Sequence, residues 1–420
     1  MEILSTAEKI KRARIYKGVT LKELCGEKIS ISKMSCIENG KIKADEEILK
    51  YISKILCVDY DYLVQDVYDQ IVENVSLIEK KQISYDDMED IIKYNLEYSL
   101  INSFYDLSFK LTHKLFTIYL KERKIESIHL LISDYYDLFQ KCNSIKNQAI
   151  YYEDMANFFA SIAEYTEAIN YYSKVREIIE HIGLKDKNKY VYICLYEGEC
   201  LSKTGNNKKA YDVLTLGLEY IDYLYSDLDK ANYFHLYGMM NIIIKNKEAN
   251  KYIEMSYKLL GQNNEKIATF KMNSGKYKYI TGENINALKD IEEAIELLKK
   301  ENRETYTTLL LECIEILYEN NELEKVEEYI DNALNLAIDV NDNMLVEKAY
   351  YYKGMLYQKR SMYLQAEMYM NLSTDTLLRF ANNEQRYKRY NEMAELYYNL
   401  GELKESIKYF VLAVNLEKKI

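Results

Sequence analysis

Apolar positions recur along this chain with the spacing of amphipathic helices, in two regimes. From Ile10 to Leu56 they come in short bursts, each introduced by a residue that caps helices well. Ile10, Ala13 and Ile15 suit a first helix that stops at Lys17-Gly18, because glycine readily takes the left-handed conformation after a helix end. Thr20 with Glu23 three residues later reads as a capping box for a second helix through Leu24. Ser30 introduces a third helix from Ile31 to Asn39-Gly40, Asp45 a fourth through Leu56, and Asp59 a short fifth.

Beyond about residue 106 the pattern becomes long and periodic. A small or short apolar residue is followed by apolar residues four and seven positions later: Ala168, Tyr172, Val175; Ala287, Ile291, Ala294; Ala366, Met370, Ser373. Anchors of this kind fall at 127, 168, 210, 249, 287, 326, 366 and 406, spaced 38 to 42 residues apart, with Ser127 and Ala249 the poorest fits. Twelve residues before several anchors stands another small residue (Ala156, Gly198, Gly275, Gly354, Ala394). Ala163, Gly205, Gly282, Ser361 and Gly401 mark the turns between. Small residues at facing positions let two helices approach closely, so each period reads as one helical hairpin. Residues 67–105 read as a helical connector or a degenerate first hairpin.

Composition changes this picture in three ways. There is no proline in 420 residues, which suits a chain of helices and short turns. The net charge is −11, yet residues 9–43 hold ten Lys/Arg against three Glu, a net of +7. A basic block on an acidic body points to a nucleic-acid contact at one end. The seven cysteines are scattered without a CxxC pair, which predicts reduced thiols and no zinc site. Four dispersed histidines, no phosphate-binding glycine loop and no nucleophile elbow predict a protein that is not an enzyme and carries no cofactor or metal. No stretch has the length and apolarity of a membrane helix, and Met1–Ile10 has no signal-peptide core, so a cytoplasmic location is expected. The tyrosine excess (44 residues) is also what an AT-rich genome would produce.

Residues 5–65 resemble the Cro/repressor-type (XRE) helix-turn-helix family, through Arg14-x3-Gly18-Val19-Thr20-x3-Leu24 and Met34-Ser35-Cys36-Ile37-Glu38-Asn39-Gly40. The resemblance implies a DNA-binding domain over 1–66 whose third helix enters the major groove of double-stranded DNA. The DNA-facing residues would be Ile31, Ser32, Lys33, Ser35 and Cys36, flanked by Lys22 and Lys41, with Arg14 and Glu38 as an internal ion pair. The alternative for each is a phosphate contact only, and for Arg14 a surface phosphate contact. Leu21, Cys36 and Ala44 depart from the family's usual polar, basic and proline residues.

Residues 106–420 resemble tetratricopeptide repeats, with a longer period and no terminal proline. An all-α architecture follows: the helix-turn-helix, then a right-handed α-solenoid of hairpins. First helices would line an inner wall. Counting from the anchors places Asn157, Glu199, Lys203, His235, Lys276, Tyr279, Glu315 and Tyr318 on it as peptide-binding candidates, with Lys359, Asn391 and Tyr398 beyond; each is otherwise a solvated face residue. The combination is similar to the peptide-sensing regulators of Gram-positive bacteria (the Rgg, NprR, PlcR and PrgX group), which implies a homodimer that binds a short signalling peptide and an operator. The alternative is an adaptor that binds a partner protein such as a response regulator, as in the Rap proteins, which lack the DNA reader.

Overall fold

A computed structural model describes residues 2–80, 85–142, 144–298 and 302–417. These residues fold into helices, and no strand occurs among them. They form two compact units, residues 1–186 and 187–420, each described here by itself.

The first unit opens with five short helices: α1 (Thr6–Tyr16), α2 (Leu21–Cys25), α3 (Ile31–Glu38), α4 (Glu46–Leu56) and α5 (Tyr60–Val64). The expected caps are in place. Thr20 and Glu23 form a full capping box, and Ser30, Asp45 and Asp59 each accept from a backbone N–H in the first turn of the helix they precede. Ser5 and Glu8 make another box at α1, missed in the sequence. Ile10, Leu24, Met34, Ile37, Ile52 and Leu56 form the small core, while Ile15, expected on its apolar face, is exposed. Leu21 packs against this core, so the departure from a polar residue adds apolar burial.

Next come α6 (Val67–Lys80), α7 (Tyr85–Ile101), α8 (Tyr105–Lys121), α9 (Ile125–Lys141), α10 (Ile145–Ser161) and α11 (Tyr165–His181). The N-terminal arm is clasped by the first two. Gln70 accepts from the Leu4 N–H (3.0 Å) and donates to the Leu4 carbonyl (2.9 Å), and Tyr94 accepts from the Ile3 N–H (3.1 Å). Lys9, only 1% exposed, donates to the carbonyls of Tyr62 and Gln65 at the end of α5. Those carbonyls have no partner within the helix, so a buried ammonium is matched there.

The second unit is a run of hairpins: α12 (Lys187–Lys203) with α13 (Asn207–Leu218), α14 (Asp227–Ile243) with α15 (Ala249–Leu260), and α16 (Asn264–Ile280) with α17 (Asn284–Leu298). It continues with α18 (Arg303–Glu319) and α19 (Leu323–Val340), α20 (Asn343–Lys359) and α21 (Tyr363–Leu377), and α22 (Asn383–Asn399) and α23 (Leu403–Glu417).

Every anchor falls in the second helix of a hairpin, and the physical reason for the period is visible at the glycines. A Cβ added to Gly198, Gly275 or Gly354, each twelve before its anchor, would lie 2.7–2.9 Å from the side chain four after it: Leu214, Ile291 or Met370. Gly238, not singled out in the sequence, meets Ile253 in the same way. The turn five residues before the anchor is left-handed at Ala163, Gly205, Gly282, Asn321, Ser361 and Gly401. This rule corrects the anchor at Ser127: the left-handed residue is Arg123, and the fully buried position is Ile128. In the α14–α15 hairpin the turn is one residue shorter, with Lys245 left-handed and Ala249 buried.

A second contact sits nine before and three after the anchor. It holds stacked rings in Phe159–Tyr171, Tyr357–Tyr369 and Tyr397–Tyr409, with centroids 5.5–5.6 Å apart. In the α16–α17 hairpin the same two positions hold the Lys278–Asp290 ion pair at 2.6 Å.

His235 was expected on the inner wall, but α14 carries it into the packing between helices. It is 3% exposed and stacked on Phe270 with centroids 3.9 Å apart, and neither ring nitrogen has a hydrogen-bond partner. Burial, reinforced by Lys266, lowers its pKa from 6.5 to about 3. Tyr279, another wall candidate, is also buried.

Two stability predictions follow from this packing. Gly275→Val should lower the unfolding free energy by about 1–3 kcal/mol through overpacking, read as a lower urea midpoint; an unchanged midpoint would contradict the close approach of α16 and α17. For His235 the folded state resists protonation, so the unfolded state binds more protons between pH 6.5 and about 3. The contribution of neutral His235 is complete above pH 6.5 and is lost as pH falls through that window. At about 1.4 kcal/mol per pKa unit, roughly 2 kcal/mol should separate pH 7 from pH 5. The His235→Phe variant should show a shallower decline in melting temperature over that range; a parallel decline would refute the assignment.

Candidate functional site

The third helix, α3, has two dissimilar sides. Met34 and Ile37 point into the core and Glu38 is buried beneath Arg14. Arg14 donates to both carboxylate oxygens of Glu38 (2.6 and 3.0 Å) and to the Val19 carbonyl (3.0 Å). The pair therefore ties the end of α1, the turn after it and the end of α3 together. The Glu38 carboxylate holds the Arg14 guanidinium above its usual pKa. This geometry makes Arg14 an internal strut instead of a surface phosphate contact.

The opposite side of α3 is open. Ile31, Ser32 and Lys33 are exposed, Ile31 by 50%, and Ser35 and Cys36 are half-buried behind them. Ser30 accepts from the Lys33 N–H (3.2 Å), which fixes the start of the helix while its first side chains face outward. Lys33 Nζ lies 3.7 Å from Asp45, a loose exposed pair that a stronger anion could displace. Lys22 and Lys41 are also exposed. Tyr16, 92% exposed at the end of α1 beside Ile15 and Lys17, was not singled out in the sequence, because an apolar residue at helical spacing reads as core.

The inner-wall candidates divide between the units. In the first, Asn157 is half-buried and its side-chain oxygen accepts from the Tyr172 hydroxyl at 2.7 Å, a contact internal to its own hairpin. In the second, burial pushes the Glu199 carboxyl up in pKa, opposed by Lys203 and Lys266. Lys203 and Lys276 are exposed. Glu315 accepts from Lys348 (2.6 Å), which holds its carboxyl low despite burial. Tyr318 lies against Tyr352 (5.8 Å) and beneath Lys359 (5.3 Å). Along α18, α20 and α22 these groups join a ladder that runs from one first helix to the next. Tyr351 donates to Glu392 (3.0 Å), and Arg389 bridges Glu347 and Ser373. This ladder was invisible in the sequence, since its partners lie 33 to 42 residues apart.

Asn391 is half-buried and Tyr398 exposed. No helix among the described residues is long and apolar enough to cross a membrane.

No protein-family model and no curated protein matches the chain. Among solved structures, the chain is similar to the apo form of RapI, with 14% identity and a TM-score of 0.50 over 84% of this chain and 98% of that one. The apo form of the quorum sensor NprR from B. thuringiensis aligns over 86% of this chain and all of that one, at 16% identity and a TM-score of 0.49. PlcR from Bacillus thuringiensis, in complex with the peptide PapR7 and DNA, aligns over 70% of this chain and 99% of that one, at 14% identity and a TM-score of 0.31. At these identities the likeness is one of fold: an all-helical chain of tetratricopeptide type.

Proposed function

We propose that this chain is a DNA-binding transcription regulator whose hairpin repeats respond to a short signalling peptide. The observation that carries the DNA half is the open side of α3. A helix anchored from behind by the Arg14–Glu38 pair presents Ile31, Ser32 and Lys33 outward, within a segment of net charge +7. A thymine methyl suits Ile31, while Lys33 suits a guanine edge or a phosphate. The peptide half rests on the first helices of the second unit, where Glu199, Lys203, Lys276, Glu315 and Tyr318 offer charges and an aromatic ring on successive elements. Charges, amides and rings so arranged suit an extended peptide. Two half-sites one DNA turn apart would require a dimer. An adaptor that acts on a partner protein is the competing reading, and it requires no specific DNA binding.

Selection of random duplex DNA by the full chain should yield a common sequence, bound less tightly as salt rises. Lys33→Ala should weaken binding to it and, where the contact is to phosphate, reduce the slope of log affinity against log salt by about one. Failure to enrich any sequence would favour the adaptor. Native mass spectrometry of the chain purified from its own host should show a bound peptide of about ten residues or fewer, in the length range of extended peptides that grooves of this kind take, and Lys276→Ala should lower its occupancy. A ligand-free spectrum would overturn the sensing half and leave the DNA half standing.

A further inference from the structure

In the first unit, α9, α10 and α11 line an open cleft of about 560 Å³, within the size range of ligand pockets. Its walls are aromatic: Tyr136, Phe139, Tyr152, Phe159 and Tyr171 all line it. Phe159 and Tyr171 stack at 5.6 Å, and Tyr152 meets Tyr171 at 6.0 Å. Lys174 is the one charged residue in the lining, and no carboxylate lines the cleft. Its ammonium lies 5.1 Å from the centroids of both Tyr152 and Tyr171, and it has no carboxylate partner among the described residues.

The second unit holds lysine–tyrosine contacts of the same kind with a carboxylate added. In α19, α20 and α21, Lys353 lies over Tyr369 (4.4 Å) and pairs with Asp331 at 2.5 Å. Lys271, over Tyr257, likewise pairs with Glu293 at 2.5 Å. Repeat register matches the carboxylate and tyrosine positions, while the lysine comes from another helix: Lys353 stands in the first helix of its hairpin, and Lys174 in the second, six after Ala168. Asp331 stands five after its anchor Val326, and Ser133 stands five after Ile128; Lys353 and Met155 each stand thirteen before theirs; Tyr369 and Tyr171 each stand three after. Ser133 and Met155 both line the cleft. Where one groove holds its own lysine–carboxylate pair over a tyrosine, the other keeps the tyrosine, has Met155 and Ser133 at the lysine and carboxylate positions, and takes its lysine, Lys174, from the second helix.

We propose that this cleft binds an arylalkyl carboxylate: a flat ring between the aromatic walls, with its carboxylate on Lys174. The same chemistry is offered by a free arylalkanoic acid or by the aromatic C-terminal residue of a peptide. The inference is independent of the inner-wall reading, since no residue is shared.

The test uses the full chain and four probes: 3-phenylpropionate, N-acetylphenylalanine and the amides of both. Calorimetry or ligand-observed NMR should show both acids bound, and each at least tenfold more tightly than its amide. Lys174→Met should abolish that preference. Ser133→Asp should reduce it too, by adding a negative charge to the cleft wall, while its melting temperature stays near that of the wild type because the position is exposed. Tighter binding of N-acetylphenylalanine than of phenylpropionate would mark a peptide C-terminus as the source; the reverse order would mark a free acid. No binding of either acid at millimolar concentration, equal binding of acids and amides, or a preference that survives both substitutions would overturn the proposal.

Discussion

The close approach of two helices at one point in each hairpin governs most of this chain. Where Gly275 faces Ile291 and Gly354 faces Met370, there is no room for even one added carbon. That contact sets the distance between the helices, and the distance sets what fits on either side of it. A stack of rings or a half-buried ion pair then occupies the neighbouring position, nine before and three after the anchor. The two fillings are chemically unlike. Polarity can therefore vary at this position so long as it is satisfied within the pair. The left-handed turn residue completes the unit by bringing the chain back after a fixed number of residues.

This explains why the repeats were legible without any single strong motif. Volume and turn geometry recur, so small residues and apolar partners recur with them, and a spacing of about forty residues survives even where the chemistry changes. The failures came where the geometry has slack. At Ser127 the expectation missed by one residue; Arg123, a long basic residue unlike the small or amide residues at most other turns, takes the left-handed conformation there. Gly238 escaped notice because the shorter turn moves it to eleven before its anchor.

The inner wall was harder, for a physical reason. A first helix in such a stack touches its own partner helix and also the first helices on either side, which leaves only a narrow stripe open. Counting places a residue on the helix, but it cannot say which of these three neighbours the side chain meets. His235 met Phe270 of the next first helix, Asn157 met Tyr172 of its own hairpin, and Glu315 met Lys348 of the next. The exposed residues of α3 were easier to place because the helix is short and Met34, Ile37 and Glu38 take its buried side, which leaves Ile31, Ser32 and Lys33 outward.

The N-terminal bundle is not hung on a free linker. One glutamine side chain, Gln70, holds both backbone groups of Leu4, and Lys9 closes the end of α5 just before α6 begins. An amide that donates and accepts across the same residue behaves like one rung of a sheet, and it resists sliding as well as separation. Ile3 and Leu4 are buried under it, so release of the arm would expose apolar surface and strip Gln70 and the Leu4 backbone of each other as partners. Both costs oppose free rotation of α3 relative to α6 and α7. Under the regulatory reading, α6 and α7 therefore fix the position of α3 within the first unit.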